Sequence, residues 1–92
     1  MLNQLFLIGE IKELPDKDNV LVIGVKRNYK NTNGVFEEDV FKCYLWIAMS
    51  KRINMSCKIG DLIALKGRIV EDGGVYCIVA EQVVLLNKYN NN

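Results

Sequence analysis

Ninety-two residues are enough for one domain around one hydrophobic core and too few for two. Half are hydrophobic and a quarter charged, with a single proline, which excludes a disordered chain and points to a small globular one. The formal net charge of +1 excludes a uniformly basic protein, yet residues 26–68 hold nine of the twelve cations and a net +5, between two flanks of −2 each.

That asymmetry predicts one basic face. No apolar run approaches the length of a membrane span, and the opening MLNQLFLIGEIKEL lacks a basic region ahead of its apolar stretch, so an uncleaved cytoplasmic protein is expected. Cys43, Cys57 and Cys77 are odd in number and lack metal-ligand spacing, and the chain has no histidine. No metal or cofactor is therefore expected, and Cys43 and Cys77, the two in predicted strands, read as buried thiols.

The first strand is predicted over residues 2–11, with Leu5, Leu7, Gly9 and Ile11 on one face and Phe6 and Ile8 on the other. Apolar residues on both faces mean two covers, one the core and the other a subunit partner. ELPDKDN, residues 13–19, is a turn cluster around Pro15. The second strand follows over residues 20–28, with Leu21, Ile23 and Val25 on the core face and Val22, Gly24 and Lys26 opposite. Gly24 takes a side chain away from that outer face, a mark of bending or close approach. NYKNTNG, residues 28–34, is a polar loop with Asn33-Gly34 as its turn signal.

The third strand, VFKCYLWIAM over residues 40–49, puts Phe41, Cys43, Leu45 and Ile47 inward and Val40, Lys42, Tyr44 and Trp46 outward. Helical spacing occurs once, at Met49, Ile53 and Cys57, with Ser50 as N-cap and Gly60 as the stop. A fourth strand over 61–71 directs Ile63, Leu65 and Ile69 inward and Ala64, Lys66, Arg68 and Val70 outward. EDGG, residues 71–74, closes a hairpin to a fifth strand over 75–86, broken near Glu81. Three strands, a helix and two strands are the layout of an all-β, five-stranded OB-fold barrel with one short helix between strands 3 and 4. The domain is placed at residues 1–88, with a frayed polar tail at 89–92.

Several stretches resemble the bacterial single-stranded DNA-binding proteins over nearly the whole chain. NQLFLIGEI is similar to that family's N-(K/R)-x-x-L-x-G-x-(L/I) first strand, and DVFKCYLW to its D-F-I-N-C-V-V-W stretch, with Asp39, Cys43 and Trp46 at matching spacing. The interval from Trp46 to the K-x-G turn at Lys58-Ile59-Gly60 matches too, as do LIALKGRI in strand four and the closing IVAEQVVLL. The resemblance implies binding of single-stranded DNA without strict sequence preference in replication, recombination or repair, by a homo-oligomer (dimer or tetramer) assembled partly through first strands.

Carried over by position, the resemblance puts base-stacking aromatics at Trp46 and Tyr29. A third such position falls on Val40, which cannot stack, with Phe41 adjacent but of inward parity. The hairpin that bears a further stacking aromatic in the family reads here as cut to EDGG. The family's acidic C-terminal recruitment tail has no counterpart in this sequence, a reduction that resembles phage or mobile-element versions and the primosomal replication protein of the same fold.

Binding a single strand regardless of sequence needs flat π surfaces for bases and cations for phosphates. Trp46, Tyr44 and Tyr29 supply the first, and Lys26, Arg27, Lys30, Lys42, Lys66 and Arg68 the second. Phe36 is either a loop anchor or a further stacker. Enzymatic function is not expected: there is no Ser–His or Cys–His pair and no phosphate-cradling glycine loop. Glu37, Glu38 and Asp39 read as charges guarding an aggregation-prone strand. The competing reading is a protein-interaction module with Tyr44 and Trp46 as interface anchors. RNA is a third, since stacking distinguishes the sugars poorly.

Overall fold

The computed structural model describes residues 3–86. Strands β1 (Leu5–Glu13), β2 (Val20–Lys30) and β3 (Phe36–Tyr44) are followed by the helix α1 (Ile47–Ser56) and by β4 (Leu62–Asp72) and β5 (Val75–Leu85). They close into a barrel in the order β1-β2-β3-β5-β4. Every neighbouring pair is antiparallel except β3 and β5, which join in parallel through Cys43 opposite Ile78 and Tyr44 opposite Val79. The predicted residues 2 and 87–92 lie outside the described range.

The strand alternation carries through to the core. Ile11, Leu21, Ile23, Cys43, Ile63, Leu65, Ala80 and Leu85 point inward and are buried, each large aliphatic contributing about 1.5–3 kcal/mol of burial. α1 adds Met49 and Ile53 to the same cluster, and its Asn54 Nδ2 donates to the Pro15 carbonyl at 3.1 Å. The helix therefore covers the barrel end where β1 and β3 finish.

Two short polar side chains make the turns. Asp16 Oδ1 accepts from the Asp18 and Val20 amides at 2.9 and 3.0 Å, and Asn31 Oδ1 accepts from those of Asn33 and Val35 at 2.9 and 3.1 Å. Each adds an Asx turn to the backbone bonds of its turn, Asn19 N–H to the Asp16 carbonyl and Gly34 N–H to the Asn31 carbonyl, both at 3.0 Å.

Several expectations change, among them that for Ile47, which opens α1 at 63% exposure instead of facing inward. β3 ends at Tyr44, not near Met49, because Leu45 turns into the core and Trp46 becomes the helix N-cap, its carbonyl accepting from Met49 and Ser50 at 3.1 and 3.0 Å. Ser50 is thus not the cap but a buried helix residue, 3% exposed, whose Oγ has no hydrogen-bond partner. The helix stops at Cys57 rather than Gly60; Gly60 has φ +97° and turns the chain so that its N–H donates to the Ile11 carbonyl at 2.8 Å. Ile69 is 44% exposed rather than core, since the β4–β5 hairpin outruns the barrel.

The break near Glu81 is present as a bulge: Lys66 faces Gln82 and Gly67 faces Ala80, leaving Glu81 extra.

Candidate nucleic-acid interface

On the outer face of β2 and β3, Val20 stands opposite Tyr44, Val22 opposite Lys42, Gly24 opposite Val40 and Lys26 opposite Glu38. Trp46 follows Tyr44 at the strand end. Across the parallel seam, Tyr44 neighbours Val79, and Val79 faces Arg68. Tyr44, Lys42, Trp46 and Arg68 therefore share one end of the barrel wall. Tyr44 is 40% and Trp46 41% exposed, so each presents part of its ring and packs the rest. Charge repulsion from Cys77, burial and a hydrogen bond with Cys77 hold the Tyr44 phenol above its ordinary range, and it is neutral in the physiological range. Arg68 lies 3.8 Å from Glu81 Oε2, a loose exposed pair.

Gly24 is bare because an ion pair lies over it. Lys12 Nζ sits 3.0 Å from Glu38 Oε1 and 3.9 Å from Glu10 Oε2, and a Cβ on Gly24 would stand 2.5 Å from Lys12 Cε. With Lys26 beside Glu38, the middle of this face is charge-balanced. The single basic face predicted from the chain is two basic–aromatic patches separated by that cluster.

The second patch is the β2–β3 arm, where Tyr29 and Phe36 are exposed and Lys30 Nζ lies 5.5 Å from the Phe36 ring centroid. Phe36 and Tyr44 are eight residues apart on β3, about 27 Å at strand rise.

Arg27 differs from the other cations. Its Nη2 and Nε donate to Asp39 at 2.8 and 3.1 Å and its Nη1 to Glu37 at 2.7 Å. Hydrogen bonding with Arg27 holds the Asp39 carboxyl below its usual range. Among the described residues, no ion pair within 4 Å involves Lys26, Lys30, Lys42 or Lys66.

Lys66 stands apart from Tyr44 and Trp46. It faces Phe6 across β1–β4, with its Nζ 5.9 Å from that ring. The two join Ile8, Ala64, Gln82 and Val84 around a shallow, mostly apolar groove.

One aromatic escaped the sequence reading. The β4–β5 hairpin closes at EDGG as expected, with Glu71 and Asp72 at the end of β4 and pairing that continues to Asp72 opposite Val75. Only Gly73 and Gly74 turn, at φ +59° and +85°, the left-handed pair that a two-residue hairpin turn requires. The arm carries Tyr76, 74% exposed. The legible signal was its place in the fifth strand, one residue past the strand's start at Val75.

Among the described residues, no group of three or more Asp, Glu, Cys or His has metal-site geometry, and no helix is long and apolar enough to cross a membrane.

No protein-family model matches the sequence. The chain is 31% identical to single-stranded DNA-binding protein 1 of Streptococcus pyogenes over 99% of its own length and 83% of that protein's. Identity is 32% to single-stranded DNA-binding protein 1 of Lactococcus lactis, over 75% of this chain and 51% of that one. Among solved structures, the small single-stranded DNA-binding protein of Streptomyces coelicolor superposes with a TM-score of 0.66 at 15% identity, covering 96% of this chain and 97% of that one. A deletion mutant of the Thermus aquaticus protein gives 0.67 at 22% identity, over 92% of this chain and 50% of that chain. These structural likenesses establish the five-stranded OB-fold, and with the streptococcal identity over nearly the whole sequence the chain belongs to the single-stranded DNA-binding protein family.

Proposed function

We propose that this protein binds single-stranded DNA with little sequence preference, by stacking bases on aromatics and meeting phosphates with lysines and Arg68, in replication, recombination or repair. The observation that carries the reading is the grouping of Trp46, Tyr44, Lys42 and Arg68 at one end of the wall. Two projecting arms add Tyr29, Phe36 and Tyr76. Stacking is worth about 1–3 kcal/mol per base and is indifferent to base identity, so affinity is expected to need several aromatics and to tolerate any sequence.

Trp46 is the only tryptophan. Titration with oligo(dT) is expected to quench its fluorescence, with affinity falling as salt rises at a log–log slope of about 0.7 per phosphate neutralised. Unquenched fluorescence together with no shift in an electrophoretic assay would refute the reading and leave an interaction module.

The β1 outer face supports a second element, assembly with further copies of the chain. Phe6 is 71% and Ile8 59% exposed, beside Leu62 and Val84, an apolar surface of the kind that subunits cover.

A further inference from the structure

The geometry points to Arg27 as a positioning residue that holds the β2–β3 arm in its binding shape and touches no phosphate itself. This inference rests on the proposed binding of single-stranded DNA.

The ladder between β2 and β3 is interrupted where the arm leaves the barrel. Lys26 faces Glu38 and Lys30 faces Phe36, so Arg27, Asn28 and Tyr29 stand against Glu37 alone. A bulge of this kind re-aims the side chains within it, and it forfeits the backbone bonds that would keep the strands in register. Tyr29 sits inside the bulge, and Lys30 and Phe36 lie just beyond it.

Side chains bridge the gap. The Arg27 guanidinium grips Asp39 with two bonds on the barrel side and Glu37 with one on the arm side. Glu37 Oε1 in turn accepts from Asn31 Nδ2 at 3.0 Å, and Asn31 Oδ1 organises the turn at 31–35. The connection is continuous from Asp39 in the wall to the arm tip. A guanidinium has the planar fork for it, and an ammonium does not.

Two consequences separate a strut from a phosphate contact. A strut variant leaves the arm free to move, so each aromatic on it must be ordered at binding, while the number of counterions released is unchanged. Removing the two carboxylates makes the protein more positive, which would by itself strengthen binding to a polyanion; loss of the strut acts in the opposite direction.

The test is the affinity of labelled oligo(dT), by fluorescence anisotropy across a salt series, for the wild type, Arg27→Ala, Arg27→Lys and the double variant Glu37→Gln with Asp39→Asn. The expected result is a loss of about three- to tenfold for all three variants, with the wild-type salt slope retained and no rescue by lysine. The double variant carries the test if Arg27→Ala does not fold. A slope smaller by about 0.7 in Arg27→Ala with rescue by Arg27→Lys, unchanged affinity, or tighter binding by the double variant would overturn the strut alone. Failure of the wild type to bind would overturn the binding reading and the inference with it.

Discussion

Replacing Tyr76 with alanine separates one proposed stacking platform from the fold. The ring is 74% exposed on the β4–β5 arm, opposite Glu71 in the ladder, and two residues beyond the Gly73–Gly74 turn. Its backbone bonds survive truncation, and the cross-strand pair it forms is worth about 0.2–1 kcal/mol at most. A surface change of this kind costs about 0.5 kcal/mol in stability, which moves the midpoint of a domain this size by no more than about 4 °C. Loss of one stacked base costs about 1–3 kcal/mol, or about five- to 150-fold in affinity. Because tyrosine carries no charge, the dependence on salt is expected to keep its slope. Anisotropy of labelled oligo(dT) at several salt concentrations, beside a thermal melt, reads both quantities. Affinity within twofold of the wild type in a variant of unchanged melting would show that the arm does not hold a base.

Two glycines separate backbone contact from side-chain contact. Gly9→Ala drives a methyl into the Gly24 carbonyl of the neighbouring strand, and should destabilise by about 1–3 kcal/mol or more, as overpacking does. Gly24→Ala first meets side chains, Lys12 Cε at 2.5 Å and Glu38 Cδ and Oε2 at 2.6 and 2.7 Å. These swing aside, losing an exposed pair worth about 0–1 kcal/mol, and the gain in backbone rigidity of about 0.5–1 kcal/mol offsets that; urea unfolding of the two variants should differ clearly, and equal midpoints would contradict the geometry. Burial pushes the Cys43 thiol up to about 11 from 9.0, so its contribution to stability holds below pH 9 and fades as pH rises toward 11. Iodoacetamide at pH 8 should label Cys57 and Cys77 before Cys43, and equal rates would show the core to be open. Ile8→Glu should convert an assembled wild type to monomer in sedimentation analysis by charging the β1 outer face; an unchanged mass would move the interface elsewhere.

The barrel was legible because alternation was strong. Leu21, Ile23, Ile63 and Leu65 read as inward and are buried, and the order of elements followed from where the period changed from two to nearly four. Boundaries were less legible. Nothing local distinguishes Leu45 continuing a strand from Leu45 turning into the core ahead of a helix, and the choice depends on Met49 and Ile53 having a barrel end to fill. Tyr76 lies within the fifth strand as read from the sequence, but its exposure depends on how far the hairpin stands clear of the barrel, which no local pattern records.

Residue types, their alternation and the family motifs were determined by the sequence alone: an all-β barrel of five strands, a helix after the third, and a supply of aromatics and cations suited to a polyanion carrying flat rings. The arrangement of those cations was decided only by the tertiary structure. Whether a lysine or arginine faces solvent or an acid depends on which strands lie side by side. Folding set Lys12 against Glu38, Arg27 against Asp39 and Glu37, and Lys66 over Phe6. Charges near in sequence were thereby divided into balanced pairs and two separate basic patches, because Coulomb attraction acts on distance in space.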